Sequence, residues 1–220
     1  MKRNLRRLTW LTTLVTLLPI VVGWLVYPTL PAQVATHFNF HGSADAFANR
    51  AFVVFGLPIL MALLQLLLTG IYRFSLKHAE AAPKMEPILF SVIPLVTYVA
   101  YFATLGYNLG LPVDIRRIVV ALVALMFIML GNYLPTVPYS QQRYSHIGWG
   151  KRTAADWTKY SRAMGYTMVI TGILLFLSLL FSAWVSIVVL AAFFLVTFYL
   201  ILHLYLGKQD KHRGGNPDDN

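Results

Sequence analysis

Cysteine is absent from the 220 residues, which excludes a disulfide framework, a thiolate nucleophile, a cysteine zinc site and an iron–sulfur cluster. Charge is scarce as well: 12% of the residues are Asp, Glu, Lys or Arg, and only 8 of the 220 are acidic. So little polar sequence cannot cover a buried core of this size, so a water-soluble enzyme domain is excluded. Neither an H-E-x-x-H pattern nor a nucleophile with its base occurs, and the chain is read as a non-enzyme with no cofactor and no metal. Soluble domains and low-complexity linkers are missing too. A single integral membrane domain accounts for residues 1–207, and residues 208–220, where Gly214, Gly215, Pro217, Asp218 and Asp219 end all periodicity, are expected to form a disordered tail.

What the chain has in abundance is long apolar runs, with 58% hydrophobic residues and a mean hydropathy of +0.64. A helix crossing a bilayer needs about 20 mostly apolar residues, because the hydrocarbon holds no water to satisfy exposed backbone groups. Six runs meet that requirement, over 8–29, 51–71, 87–109, 118–134, 163–181 and 185–206. The last two are nearly continuous and as one helix would be about twice too long for the bilayer, so a turn is expected near Ser182, Ala183 and Trp184. The first run exceeds a signal-peptide core of about 7–15 residues, and Ala32 and Ala35 lack the spacing of a cleavage site, which predicts a retained first helix. The fold class is therefore an all-α polytopic bundle.

Basic residues alternate with the connections. Lys2, Arg3, Arg6 and Arg7, then Arg73, Lys77 and Lys84, then Arg143, Lys151, Arg152, Lys159 and Arg162, then Lys208, Lys211 and Arg213 fall on one side, against Arg50, Arg116 and Arg117 on the other. By the positive-inside rule both termini are expected to be cytoplasmic. The net charge of +10 thus belongs to topology, not to nucleic-acid binding.

Two connections and one helix face carry chemistry. In the first outer connection Pro28 and Pro31 end a helix, and Asn39 and Gly42 are turn formers, which predicts an ordered cap with Phe38, Phe40 and Phe47 dipping into the interface. His37, His41 and Asp45 recur at the four-residue spacing of metal ligands on a helix. Because Asn39 and Gly42 interrupt any helix there, a turn fastened by hydrogen bonds is the preferred reading, with ligand contact or pH sensing as alternatives. Span three places Thr97, Tyr101, Thr104 and Asn108 on one face, and span two adds Gln65 and Thr69; such a stripe faces protein or a cavity and serves helix packing or ligand binding. Gly106 and Gly110 have GxxxG spacing, and Pro19, Pro58 and Pro94 are expected to bend their spans. No acidic residue lies well inside a span, which counts against a proton-coupled transporter. On the basic side, Thr153 and Asp156 have capping-box spacing, so a helix should start there and feed span five. Trp157, Tyr160 and Met164 share one face of that helix, read as a headgroup anchor or, with Asn132, Arg143, Lys151, Arg152 and Arg162, as a docking surface.

At the two connections the sequence resembles the SdpI-like immunity-protein family of bacterial membrane proteins. The N-terminal resemblance runs from Pro31 through His37-Phe38-Asn39, Gly42 and Asp45 to Pro58, in the pattern of the short domain of unknown function found in that family; the C-terminal one uses Gly131-Asn132, Pro135, Gly148, Arg152-Thr153, Trp157 and Arg162. It implies location in the bacterial cytoplasmic membrane and protection of the producing cell against a secreted, membrane-active peptide toxin or bacteriocin. Through its best-known member it also implies signal transduction, by sequestration of a cytoplasmic transcriptional regulator. The expected binding residues are His37, Phe38, Asn39, His41, Gly42 and Asp45 in the outer cap, with the span-three stripe behind them. A signal transducer without immunity, or a small-molecule or peptide transporter, is the alternative.

Overall fold

The computed structural model describes residues 5–39, 42–77, 79–140 and 153–206, with side chains to 203. Six helical segments are long and apolar enough to cross a membrane: Leu5–Thr29, Phe52–Ser75, Glu86–Asn108, Ile115–Thr136, Ala154–Ser178 and Ala183–His203, called spans one to six. They match the six expected runs with shifted ends. The largest shift is in span five, which starts at Ala154 because the Thr153 and Asp156 capping box forms in full and one helix runs from there into the membrane. It ends at Ser178, and span six resumes at Ala183 after a turn of consecutive short-range bonds, so the reversal lies just ahead of Ser182.

Each proline leaves a local trace. Pro19 breaks span one after Leu17, and the Leu18 N–H turns to the nearer Val15 carbonyl. Span two opens with a π-helical turn, Phe52–Gly56, ahead of Pro58. Span three runs as one uninterrupted helix through Pro94.

Spans one, two and three pack mutually, span four leans on span three, and five and six follow in sequence. Span one turns Thr9, Thr13 and Thr16 inward, each buried with its hydroxyl back-bonded to a carbonyl four residues earlier. Apolar side chains at Trp24, Leu25, Phe194 and Leu195 instead point outward, as lipid-facing positions do. The close glycine contacts lie elsewhere than GxxxG spacing predicts. A Cβ at Gly131 would stand 2.7 Å from the Gly165 carbonyl oxygen, one at Gly165 2.6 Å from that of Gly131, and one at Gly172 2.7 Å from that of Ala124. Spans four and five therefore touch backbone to backbone. Gly110, at φ +78°, instead terminates span three: its N–H reaches Tyr107 and that of Leu111 reaches Gly106, a Schellman arrangement.

The connection between spans one and two is a β-hairpin, β1 Gln33–Phe38 and β2 Ala44–Asn49, paired antiparallel from Gln33 opposite Asn49 to Phe38 opposite Ala44. The expected ordered cap is thus built from strands. Two register irregularities flank His37, and adjacent Val34 and Ala35 are both buried, which removes the alternation that marks a strand in sequence.

Candidate functional site

The hairpin is held at three points. At its base the Arg50 N–H bonds the Ala32 carbonyl, while the Arg50 guanidinium donates to the Leu30 carbonyl at 3.2 Å and lies 4.7 Å over the Tyr27 ring. In the middle, Asn108 of span three behaves like a strand partner: its Oδ1 accepts from the Ala35 N–H at 2.8 Å and its Nδ2 donates to the Ala35 carbonyl at 3.1 Å. At the tip, Phe38 meets the Tyr107 ring edge-on with centroids 4.7 Å apart. Around the turn the Asn39 N–H bonds the Ser43 carbonyl, the Ser43 N–H bonds Asn39 Oδ1, and Gly42 adopts φ +81°.

His37 and Asp45 meet across the two strands, with Nδ1 and Oδ1 2.5 Å apart, and both side chains are exposed. The helical spacing of four that suggested metal ligands is thus replaced by cross-strand pairing. No group of three potential metal ligands occurs among the described residues, and His41 and Phe40 lie outside them. Phe47 is exposed on β2, whereas Phe38 is taken up by Tyr107.

Between the hairpin and the first turns of span four lies a cleft of about 380 Å³. Thr36, His37, Phe38, Asn39 and Gly42 form one wall, and Ile115, Arg116, Val119 and Val120 form the other. Four expected cap residues are thus gathered on one surface, while Asp45 supports it from behind through His37. Span four starts there because Asp114 caps it: its carboxylate accepts the Arg117 N–H at 3.0 Å and pairs with the Arg117 side chain at 3.1 Å. Arg116 was read from the sequence only as one of three outer cations; the structure makes it part of the cleft wall.

A second cavity, about 130 Å³, lies deeper between spans two and three, and Thr36 lines both spaces. Thr97, Tyr101 and Thr104 line it, beside Val53, Leu57 and Pro58. Asn108 does not, because it is occupied with Ala35. The polar groups of this stripe are largely engaged by protein: Thr97 donates to the Ile93 carbonyl at 2.7 Å and Tyr101 to the Val54 carbonyl at 3.1 Å. The Thr97 bond stays within span three, whereas that of Tyr101 crosses to span two and ties the helices together.

On the opposite side the expected docking face is turned inward. Trp157 and Met164 are buried, and the Trp157 indole N–H donates to the Val137 carbonyl at 2.8 Å, fastening span five to the exit of span four. Burial removes Trp157 and Met164 from the expected headgroup anchor, while its basic members Lys159 and Arg162 stay at the surface. Asn132, Lys159 and Arg162 are exposed; Arg143, Lys151 and Arg152 lie outside the described residues.

Residues 14–62 match the model of a domain of unknown function, DUF1648, which occurs in membrane proteins. The match begins within span one, contains the whole hairpin and ends shortly after Pro58. Neither the curated proteins nor the solved structures contain a match to this chain.

Proposed function

We propose that this multi-pass membrane protein is an SdpI-like immunity protein of the bacterial cytoplasmic membrane, which binds a secreted, membrane-active peptide at its outer face. Both termini are then cytoplasmic, a reading that the distribution of the basic residues supports. One observation carries the reading: the motif residues His37, Phe38, Asn39 and Gly42 share a wall of a cleft whose other wall is the start of span four. The cleft sets polar Thr36, His37, Asn39 and Arg116 beside apolar Phe38, Ile115, Val119 and Val120, a mixture that suits an amphipathic peptide. The mechanism is capture rather than catalysis. A peptide held against the hairpin cannot complete the assembly that permeabilises the bilayer.

The test is the membrane potential of a sensitive bacterium challenged with candidate peptide toxins, with and without the protein. Retention of potential only when the protein is present is the expected result. Single His37→Ala, Asn39→Ala and Asp45→Ala variants, expressed at the parental level, should each lose protection. Undiminished protection by all three removes the cap from the mechanism. A second reading, capture of a cytoplasmic regulator, is favoured by the exposure of Asn132 and Arg162 on the basic side but no longer by Trp157. Pull-down of such a regulator should weaken in Arg162→Ala.

A further inference from the structure

The outer face has three arginines among the described residues, and their circumstances differ. Arg50 is held by the Leu30 carbonyl and the Tyr27 ring, and Arg117 by Asp114. Arg116 is different. Its Nη1 is buried without a hydrogen-bond acceptor, and the residue lines the cleft under the hairpin. Burying a guanidinium nitrogen without an acceptor is costly, and the neighbouring carboxylate that could relieve it, Asp114, is already engaged by Arg117. An anion in the cleft would supply the acceptor that Nη1 lacks.

The rest of the wall says what that anion is attached to. Arg116, Val119 and Val120 stand at i, i+3 and i+4, so they form one column down a helix face from the charged start of span four toward its apolar middle. Val119 is 49% exposed, which leaves the column open on the lipid side. The volume of about 380 Å³ falls short of a whole phospholipid and suits a headgroup with the upper part of one acyl chain. A soluble anion would leave the apolar column uncovered.

We infer that the cleft between the hairpin and span four is a binding site for an anionic phospholipid, whose phosphate is taken by Arg116 and whose acyl chain lies along Val119 and Val120. The guanidinium supplies two parallel donors to the phosphate oxygens, a geometry that Lys cannot reproduce. This site lies in the cleft of the immunity reading but does not depend on that reading. A peptide captured in the cleft has to displace the lipid.

The test uses the full-length protein purified in mild detergent, equilibrated with equal amounts of phosphatidylglycerol and phosphatidylcholine, with retained lipid counted by native mass spectrometry. The parent should retain phosphatidylglycerol in preference by about five- to tenfold, the effect of one charge-assisted contact near a membrane surface. Arg116→Gln should reduce that preference to near one, and Arg116→Lys should keep only part of it. Arg117→Lys, which keeps a cation beside Asp114 and so leaves that carboxylate engaged, should keep it in full. Thermal unfolding of each variant in detergent separates lost lipid from lost fold. Should Arg116→Gln fail to fold, Val119→Trp, which fills the acyl column without adding a charge and leaves Arg116 in place, gives the same loss of preference. The inference is overturned by an Arg116→Gln protein with the parental preference, or by a parent with no preference. Displacement of the lipid by inorganic phosphate as readily as by short-chain phosphatidylglycerol overturns it in favour of a simple anion site. Absence of retained lipid, with saturable and Arg116-dependent binding of an amphipathic peptide carboxylate, overturns it in favour of a peptide site.

Discussion

In spans one to three, helices meet through side chains that cross the gap to a carbonyl. Gln65 of span two donates to Thr12 of span one at 2.7 Å and to the Phe90 carbonyl of span three at 3.0 Å; Tyr101 of span three donates to the Val54 carbonyl of span two. Both carbonyls stand four residues before a proline, Pro94 and Pro58, and so lack the N–H that an α-helix would supply. In spans four to six no such bond to a proline-freed carbonyl occurs within the membrane among the described residues. Spans four and five close instead along Ala124 and Gly131 against Gly165 and Gly172, where backbone meets backbone, and spans five and six share the Ser178 and Ser186 hydroxyl contact at 2.8 Å.

The difference follows from the solvent. Lipid is as apolar as Leu, so burial of leucine does not distinguish one helix neighbour from another in a membrane. Specific pairing needs either a polar group that has nowhere else to bond or a surface small enough for backbones to approach. The first device dominates between spans one, two and three and the second along the seam of spans four and five, where Trp157 and the Ser178–Ser186 pair add side-chain bonds at the ends. The side-chain device fixes direction as well as contact, which suits the half that carries the hairpin and its cleft. Asn108 and Tyr101 lie two turns apart on span three, one clamping the hairpin and the other clamping span two beneath it.

Breaking the backbone seam should have the largest effect. Gly165→Val inserts a branched side chain where even a Cβ has only 2.6 Å to a carbonyl oxygen of the facing helix, so spans four and five must separate. A loss of about 3 kcal/mol is expected, the upper range of overpacking, measured by unfolding in a denaturing detergent titration. Equal stability of variant and parent would contradict the backbone contact.

Gly23→Ala tests the corresponding tight place in the N-terminal half. A Cβ there would overlap the Tyr101 hydroxyl, whose oxygen is the nearest atom at 1.8 Å. That forces Tyr101 away from Val54 and should cost about 2–3 kcal/mol. In a Tyr101→Phe background the same substitution should cost distinctly less, because the obstructing oxygen is gone. A cost unchanged by Tyr101→Phe would place the clash elsewhere.

Gln65→Leu should cost about 2 kcal/mol by leaving the Phe90 carbonyl without its donor in an apolar medium. Pro94→Ala sharpens the point, since it restores an N–H four residues after Phe90. The double variant should therefore lose much less on Gln65 replacement than the parent does, a coupling that a simple loss of packing would not produce.

The number of spans was legible because each is a run of the length that a bilayer demands, and the start of span five was legible because Thr153 and Asp156 form a local signal. The cap was legible as ordered but not as strands. Its register irregularities around His37 put adjacent Val34 and Ala35 inside together, so no alternation marks it. The partners of Gln65 and Tyr101 lie 25 and 47 residues away, beyond any local pattern. A sequence signal for them existed nonetheless: each proline within a span announces a carbonyl in need of a donor. The role of Arg116 was legible in part, since Asp114 and Arg117 at i, i+3 pair with each other and leave the arginine between them over.

The smallest effect belongs to Trp157, and it decides how the basic side is used. Its indole N–H is bonded to Val137 and its ring is buried, so Trp157→Phe retains the packing and removes one hydrogen bond. A stability loss of about 1 kcal/mol is expected. If Trp157 is a fastener, a regulator-binding assay on the folded variant should be unchanged while Arg162→Ala weakens it. If Trp157→Phe weakens binding with no loss of stability, the indole is a contact in its own right. Span five must then open away from Val137 when a partner binds, and the C-terminal half is the moving half of the molecule.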